Sequence, residues 1–391
     1  MSKLDKLINE LCPNGVEWKT VEEIFNLKNG YTPSKANKKY WENGTVPWFR
    51  MEDLRTNGNI LNDSVQHIHT SGVRGKLFPA NSIIMATTAT IGEHALITVD
   101  YMSNQQFTNF ALRDDICEFI DTKFAYYYFF ILGKKAKQAV NTSSFPSVQM
   151  EQLKKWDFPI PPLPVQEEIV RILDKFTNLT AELTAELTAR KKQYEYYRDK
   201  LLTFDEGEAE WKMLGELCTI KIGTKPLNKP NEVSRLFAYI NAGLEPSGYC
   251  ENSNSTGGAI TIPSRGYGGA GYVGFQQNDF WCGPLCYKMY SISEDNLTRY
   301  FYFYLTSIQE NIIILRKTGS IPAVNRGDLL SIKVPVPPLK EQQRIVDILD
   351  RFDTLCNDIS SGLPSEIKLR QKQYEHYRDK LLTFKKLEVE V

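Results

Sequence analysis

The stretch Phe158-Pro159-Ile160-Pro161-Pro162-Leu163 recurs 176 residues later as Val334-Pro335-Val336-Pro337-Pro338-Leu339. A second stretch, 197–204, recurs as 377–384 at an offset of 180. Between these stretches, and at the first offset, the matched positions are Gln166, Ile169, Val170, Ile172, Leu173, Asp174 and Phe176 with Gln342, Ile345, Val346, Ile348, Leu349, Asp350 and Phe352. The chain is therefore built on one internal repeat of about 180 residues.

Each proline-rich stretch is followed by apolar residues at spacings of three and four, which is typical of a coiled-coil helix. In the first copy this pattern predicts a helix over 165–204, roughly 60 Å long. In the second copy the pattern is interrupted at Gly362-Leu363-Pro364, where we expect a break or kink. Each apolar stripe needs a partner. An antiparallel pair would place the intervening segments at opposite ends of a rod.

The segments between the predicted helices share anchors but little else. Glu17-Trp18-Lys19 matches Glu210-Trp211-Lys212, and Gly30 falls at Gly223. Between such anchors the two copies scarcely align. The two halves therefore share their flanking motifs, the frame, but differ in the sequence that these motifs enclose. Strands are predicted at 82–86 and 259–262. Near the end of each segment an aromatic run, at 124–130 and 300–304, predicts a buried helix.

Composition bounds the class of protein. The 391 residues are 42% hydrophobic and carry 47 basic and 47 acidic groups, so disorder and a large basic field that coats nucleic acid are both disfavoured. Each segment of the repeat is itself close to neutral. Seven scattered cysteines without a CxxC pair suggest reduced thiols and no metal site. A charged start and short apolar runs predict a cytoplasmic protein without a membrane span.

Catalytic motifs are not evident. Gly266-Tyr267-Gly268-Gly269-Ala270-Gly271 satisfies GxGxxG, but a strand rather than a helix is predicted to follow it. Its glycines are better explained by close approach of another backbone, and a DNA backbone would fit. We find no Walker A sequence, no adenine-methyltransferase motif and no nucleophile–base set. We therefore expect no enzyme activity and no cofactor.

The repeat, the proline-rich helix entries and the two Trp-initiated segments resemble the specificity subunit of Type I restriction–modification systems along essentially the whole chain. The resemblance is carried by Ile160-Pro161-Pro162-Leu163 with Gln166-Glu167 and Ile169, Val336-Pro337-Pro338-Leu339 with Glu341-Gln342 and Ile345, Ser144-Phe145-Pro146, Ser320-Ile321-Pro322, and the tandem Thr180-Ala181-Glu182-Leu183 and Thr184-Ala185-Glu186-Leu187. Pro164-Val165 departs from the family pattern, which usually has a Glu before the Gln.

This resemblance implies an α+β fold with a pseudo-twofold internal repeat. Two mixed α/β target-recognition domains, 1–157 and 205–333, would be separated by two long antiparallel coiled-coil helices, 158–204 and 334–391. Each domain would read half of a bipartite double-stranded DNA site, asymmetric because the two contents differ. The subunit would be non-catalytic. Two methyltransferase subunits would dock on the helices, and restriction/translocase subunits would join them.

Hydroxyl, amide and basic side chains in loops are suited to reading base edges and phosphates. The predicted DNA-binding residues are Thr32, Ser34, Lys35, Lys38, Lys39, Arg50, Arg74, Thr87, Thr88, Thr90 and Gln105 in the first domain, and Lys225, Lys229, Asn241, Arg265, Tyr267 and Arg326 in the second. Arg265 is the strongest candidate because glycines surround it.

Two alternatives remain open from the sequence. A coiled-coil scaffold without sequence-specific DNA binding explains the helices but not two dissimilar inserts in matched frames. A fused restriction–methylation enzyme would need several hundred more residues of catalytic sequence.

The tandem tetrapeptide leads to a prediction about the DNA spacer. Four helical residues add about 6 Å and a net rotation of about 40°, whereas one base pair adds about 3.4 Å and about 35°. Inserting one Thr-Ala-Glu-Leu unit after Leu187 should lengthen the DNA spacer between the two half-sites by one base pair and leave both half-sites unchanged. Methylation mapping checks this, and altered half-sites with an unchanged spacer would contradict it.

Overall fold

The computed structural model describes residues 2–139, 146–232, 236–243, 245–317, 321–358 and 361–387. Ser144, Phe145 and Ser320 of the family pattern lie outside these residues. The chain divides into two compact units. The first is Met1–Ala181 with Lys368–Val391, and the second is Glu182–Ile367.

Residues 2–201 form the helices α1 (Lys3–Leu11), α2 (Val21–Ile24), α3 (Met51–Asn57), α4 (Thr122–Gln138), α5 (Met150–Lys154) and α6 (Leu163–Leu201). The strands in this range are β1 (Glu17–Thr20), β2 (Phe25–Asn29), β3 (Val46–Phe49), β4 (Ile60–Leu61), β5 (His67–Ile68), β6 (Ser82–Ala86), β7 (His94–Ile97), β8 (Met102–Ser103), β9 (Phe107–Leu112) and β10 (Asp157–Ile160). Short 3₁₀ turns lie at Lys38–Tyr40 and Thr70–Gly72.

The remaining strands are β11 (Glu210–Met213), β12 (Cys218–Ile222), β13 (Phe237–Ile240), β14 (Tyr249–Cys250), β15 (Ala259–Pro263), β16 (Gly274–Gln276), β17 (Trp281–Cys282), β18 (Cys286–Ser291) and β19 (Lys333–Val336). The remaining helices are α7 (Leu214–Leu217), α8 (Thr298–Ser307), α9 (Gln309–Ile314), α10 (Arg326–Leu330), α11 (Leu339–Asn357) and α12 (Leu363–Leu381). The predicted strands at 82–86 and 259–262 are confirmed as β6 and β15.

Both units build their sheets in the same way. The first unit has a larger sheet in the order β2-β9-β6-β7-β4 and a smaller one in the order β5-β3-β8. The second unit has β12-β18-β15-β16 and β14-β13-β17. In each smaller sheet the middle strand has one parallel neighbour, β8 for β3 and β17 for β13. Two sequences that scarcely align therefore form corresponding sheets.

The repeated motifs pair with each other within each unit. The strand that carries Trp18 runs antiparallel to the strand that leads into α6, with Trp18 opposite Pro159. In the second unit Trp211 lies opposite Pro335 in the same type of pair. A proline fits here because these two-stranded ladders leave an edge on which its missing N–H costs no bond. In each unit, the first strand thus pairs with the last one.

The aromatic runs form helices packed into the core, as predicted. All of the side chains of α4 from Phe124 to Phe129 are buried, and so are most of those of α8 from Tyr300 to Leu305. In the first unit Phe25 makes edge-to-face contacts with Phe110, Phe129 and Phe158 at centroid distances of 6.0, 5.6 and 5.6 Å. Such pairs add to the stabilisation from burial.

The long helices follow the predicted pattern. The first continues unbroken through α6, whereas the second is divided into α11 and α12 just before Leu363-Pro364. In the second unit Phe352 of α11 lies 6.3 Å from the ring of Tyr194 and 5.7 Å from that of Tyr197. Cys356, one turn further along α11, is near Lys191, so α11 runs antiparallel to this part of α6.

A buried glutamine joins the start of each long helix to the start of the aromatic helix. The amide Nε2 of Gln166 donates to the carbonyl oxygens of Pro161 (2.6 Å) and Phe119 (2.8 Å), and its Oε1 accepts from the N–H of Asp121, the N-cap of α4 (2.8 Å). Gln342 repeats this arrangement. It donates to Pro337 (2.9 Å) and accepts from the N–H of Leu297, the N-cap of α8 (3.0 Å). Both side chains are fully buried.

Replacing Gln342 with leucine should lower the free energy of unfolding of the second unit by about 3 kcal/mol. The substitution leaves a buried N–H and buried carbonyl oxygens without partners, and each such group costs about 1–3 kcal/mol. Urea unfolding measures the change. Gln343→Leu is the matched control, because this neighbouring side chain is exposed and hydrogen-bonds to Asp347 on the helix surface. Equal losses in the two variants would contradict the role of Gln342.

Candidate nucleic-acid interface

Three loops of the first unit meet at one tight turn, residues 103–107, which we call the first hub turn. The backbone N–H groups of Gly30, Tyr31 and Thr87 donate to carbonyl oxygens of this turn at 2.9, 2.8 and 3.0 Å. The N–H of Asn104, within this turn, donates to the carbonyl oxygen of Phe49 at 3.0 Å. The ends of β2, β3 and β6 are thereby held together at one edge of the unit.

The second unit has the same arrangement around residues 282–286, the second hub turn. The N–H groups of Gly223, Thr224 and Ser264 donate to its carbonyl oxygens at 3.0, 2.9 and 2.7 Å. Its Gly283 N–H donates to the carbonyl oxygen of Ile240 at 2.8 Å. Each of these four bonds has its counterpart in the first unit, so the ends of β12, β13 and β15 correspond to those of β2, β3 and β6.

The shared bonds define equivalent positions that the sequences alone do not reveal. A further matched pair of contacts supports the correspondence, because Thr88 bridges antiparallel to Ser147 and Arg265 bridges antiparallel to Ala323. The predicted DNA-binding residues at equivalent positions are Thr32 with Lys225, Arg50 with Asn241, and Thr88 with Arg265. The same backbone site therefore presents different side chains in the two units.

Glycine is required where the first loop meets each hub turn. A Cβ at Gly30 would lie 2.2 Å from the carbonyl oxygen of Asn104, and one at Gly223 would lie 2.1 Å from that of Cys282. Real Cβ atoms do not approach backbone this closely, so any side chain would push the loop away from the turn. In the sequence, the match of Gly30 with Gly223 is the feature that corresponds to the hub turns.

In the first unit, most of the predicted residues surround the first hub turn. The Thr32 hydroxyl hydrogen-bonds to the side-chain carbonyl of Gln105, which is exposed on the turn itself. Arg74 joins the same loop, because its guanidinium lies 5.5 Å from the ring centre of Tyr31 and its N–H donates to the Tyr31 hydroxyl at 2.5 Å. Burial raises the pKa of Tyr31, which keeps this hydroxyl neutral. Ser34, Lys35, Lys38 and Lys39 are exposed further along the loop.

The remaining residues of the first set differ in exposure. Arg50 is half-buried, lies 5.6 Å from the ring centre of Trp48 and pairs with Glu52 at 2.7 Å. Thr88 is partly exposed. Thr87 is buried, with its hydroxyl 3.1 Å from that of Thr108. The Thr90 hydroxyl is a buried atom that has no hydrogen-bond partner among the described residues. Thr87 and Thr90 thus line the inner side of the loop.

In the second unit, Lys225, Asn241 and Arg265 lie at the second hub turn. The side-chain carbonyl of Asn241 accepts from the N–H of Leu285 at 3.0 Å, so this residue also holds the turn. Arg265 is exposed, and Tyr267 is 76% exposed. Arg326 begins α10, three residues beyond Ala323, whereas Lys229 lies on the far side of the loop that follows β12.

The glycine-rich loop that follows Arg265 packs against the chain itself. A Cβ at Gly269 would lie 2.2 Å from the carbonyl oxygen of Ala242, so the close backbone at this position is the loop after β13 and not DNA. Around Gly268, none of the described residues outside its own neighbours places an atom within 4 Å of the Cβ position. The expectation that these glycines admit a DNA backbone is therefore wrong for Gly269.

Sequence reasoning missed the residues that hold the second hub turn from outside. The Asn254 side chain accepts from the N–H of Cys282 at 2.7 Å and donates to the Thr224 hydroxyl at 3.1 Å. The indole N–H of Trp281 donates to the carbonyl oxygen of Thr224 at 2.8 Å. Cys286 is the last residue of the turn. A hydrogen bond with Cys282 and burial raise the pKa of the Cys286 thiol well above its usual range, so the thiol stays neutral. No local sequence pattern marks these long-range contacts.

The chemistry of both sites is hydrogen bonding and charge pairing. Hydroxyl, amide, guanidinium and ammonium groups at the loop ends suit base edges and phosphate oxygens. Across the parts of the chain that are described, no three His, Cys, Asp or Glu side chains cluster as a metal site would require. Within the same ranges, no helix has the length and apolar character needed to cross a membrane.

Comparison with known proteins gives matches along both halves of the chain. The family described as "Type I restriction modification DNA specificity domain" matches residues 13–190 and 207–369. The Type I restriction enzyme EcoprrI specificity subunit of Escherichia coli is 41% identical over 92% of this chain and 92% of its own length. The EcoR124I/EcoR124II specificity subunit, also from Escherichia coli, is 38% identical over 99% and 98%.

Solved structures share the fold. The S subunit of a Type I restriction–modification system from M. genitalium superposes with a TM-score of 0.61 at 20% identity, covering 96% of this chain and 97% of its own. A chain from a structure on complex assembly and conformational transition of the Type I system superposes with a TM-score of 0.59 at 16% identity, covering 95% and 98%.

The close approach at the hub turn gives a prediction for glycine replacement. Gly223→Ala should displace Thr224 from Cys282, speed hydrogen exchange of the Thr224 N–H, and lower the free energy of unfolding by about 1–3 kcal/mol. Gly268→Ala is the matched control, because the space beside Gly268 is open. Unchanged exchange at Thr224 in the Gly223 variant would show that this contact does not hold the loop.

Proposed function

Since the chain belongs to the Type I restriction–modification DNA specificity family, we propose that its two hub-turn sites each read one half of a bipartite DNA target. The observation that carries this proposal is the same backbone site in both units with different side chains upon it. A common scaffold with exchanged side chains is what two related readers of different half-sites need. The target is accordingly asymmetric.

The domain assignment follows from this proposal. Residues 1–157 and 205–333 are the target-recognition domains, and 158–204 and 334–391 supply the spacer helices. Support comes from the strand pairs β1–β10 and β11–β19, which close each recognition segment next to the start of a long helix. The buried glutamines then tie each segment to that helix.

The equivalent positions suggest how the half-sites differ. Arginine recognises the O6 and N7 edge of guanine, whereas asparagine recognises the N6 and N7 edge of adenine. At the same place in the two sites, Arg50 therefore offers a guanidinium, whereas Asn241 offers its amide NH₂ group, because its side-chain oxygen already accepts from the N–H of Leu285. At the third loop, Thr88 offers a hydroxyl and Arg265 a guanidinium. Phosphate contacts are supplied by Lys35, Lys38 and Lys39 in the first unit and by Lys225 and Lys229 in the second.

Catalysis belongs to partner subunits in this proposal. The chain places specificity in a complex with two methyltransferase subunits, which dock on the spacer helices, and with restriction/translocase subunits. Such a complex acts on genomic DNA in the cytoplasm. The balance of 47 basic and 47 acidic groups supports this division, because a neutral subunit binds DNA weakly and depends on its partners for electrostatic attraction. A coiled-coil scaffold without DNA binding gives no reason for a duplicated hub-turn site.

The proposal predicts separable effects at the two sites. In the complex with its methyltransferase subunits, Arg265→Ala should reduce discrimination against base changes in one half-site by about fivefold to a hundredfold, the value of one good contact. Thr88→Ala should act on the other half-site alone. Binding to the mapped target and to duplexes altered in either half, measured by gel shift, tests both variants.

Two outcomes of this experiment would count against the proposal. Equal loss at both half-sites in Arg265→Ala would indicate damage to folding instead of a lost contact. A complex of the unmodified subunit that binds random duplexes as tightly as its target would favour the scaffold.

A further inference from the structure

One apolar side chain is presented to solvent by the loop that follows β12. Leu227 is 99% exposed, and it lies between Pro226 and Asn228 at the tip of residues 224–231. Single exposed leucines on protein surfaces need no explanation. This one differs because the loop that carries it starts at the second hub turn and is hydrogen-bonded at both ends.

Both ends of the loop are fixed by hydrogen bonds. At the start, Thr224 donates its N–H to the carbonyl oxygen of Cys282 at 2.9 Å, and its own carbonyl oxygen accepts from the Trp281 indole at 2.8 Å. At the end, Asn231 exchanges two backbone bonds with Tyr249, at 3.0 and 2.9 Å. Pro226 and Pro230 fix two further φ angles. Little conformational entropy therefore remains to be lost when the tip meets a ligand.

The charges around Leu227 suit a DNA ligand. Lys225 and Lys229 flank it, and both are exposed. The chain bends at Leu227 and Asn228, so the two lysines lie on either side of the tip. A bent loop with a lysine on each flank needs a wide groove, and the major groove is about 12 Å wide whereas the minor groove is only about 6 Å wide. The two lysines can therefore reach phosphates on either side of a major groove while the tip enters it.

An apolar side chain in the major groove can recognise only one feature of the base pairs. Base edges there present hydrogen-bond donors and acceptors, and the C5-methyl group of thymine is the one apolar group. We propose that Leu227 packs on a thymine C5-methyl group in the half-site read by the second unit. This inference rests on the proposed function. Residues 30–41, the loop of the first unit that also leads away from its hub turn, carry no comparably exposed large apolar side chain in their described positions.

A double replacement, in protein and in DNA, tests this contact. The complex with its methyltransferase subunits is titrated onto target duplexes in which each thymine of that half-site is replaced in turn by deoxyuridine, which removes only the methyl group. For the unmodified protein, one replacement should raise Kd about fourfold, the value of burying one methyl-sized group. Leu227→Ala should raise Kd on the thymine duplex by at least as much. The deoxyuridine replacement and Leu227→Ala together should raise Kd no more than Leu227→Ala alone.

Ile292→Ala is the matched control. Ile292 is 58% exposed and lies at the opposite end of the same sheet, where its N–H donates to Leu217. Its replacement should leave Kd and the uracil effect unchanged.

The results separate this inference from the function on which it rests. Selective binding of the target without any uracil effect overturns the methyl contact and leaves the proposed function standing. The same is true of a uracil effect that persists undiminished in Leu227→Ala. Loss of preference for the target over random duplexes in the unmodified complex overturns the proposed function, and the inference falls with it.

Discussion

The backbone hydrogen bonds at the hub turns are the constraint on which the rest of the site depends. Each turn accepts from two different loops and donates to the end of a third strand, at distances of 2.7–3.0 Å. These bonds use backbone groups, so they set the positions of the loop ends without fixing the side chains there. Gly30 and Gly223 are required at the first contact by the carbonyl oxygen next to the missing Cβ. In the second unit, Asn241 and Asn254 also bind the turn through their side chains. A scaffold of this kind can keep its shape while the residues at its surface change.

The sequence predicted the frame of the protein because the frame is repeated. The proline-rich stretches and the aromatic runs each occur twice, and the predicted helices of the aromatic runs are confirmed as α4 and α8. The strands β10 and β19, and the hydrogen bonds of the buried Gln166 and Gln342, are structural findings at positions that the repeat had already matched. The break in the second long helix was also predicted, since a glycine followed closely by a proline in the middle of a helical pattern disfavours its continuation.

The hub turns could not be predicted in the same way. Their bonds join residues far apart in the chain, such as Gly30 with Phe107 and Ser264 with Leu285, and the residues involved have little in common between the two units. The sequence marks Arg50, Asn241 and Thr88 only as polar loop residues, and it marks Arg265 also by the glycines around it. Their equivalence came from three-dimensional contacts. Thr87 and Thr90 look identical to Thr88 in the sequence, yet the structure turns one hydroxyl inward to Thr108 and buries the other.

The central claim, that equivalent positions on the two hub turns face different half-sites, can be tested by site-specific crosslinking. A photoreactive amino acid replaces Thr88 in one variant and Arg265 in another, each is assembled with its methyltransferase subunits on the mapped target, and the crosslinked nucleotides are identified. The account predicts crosslinks confined to one half-site for position 88 and to the other for position 265. Crosslinks from both positions to the same half-site, or only to DNA outside the target, would contradict it.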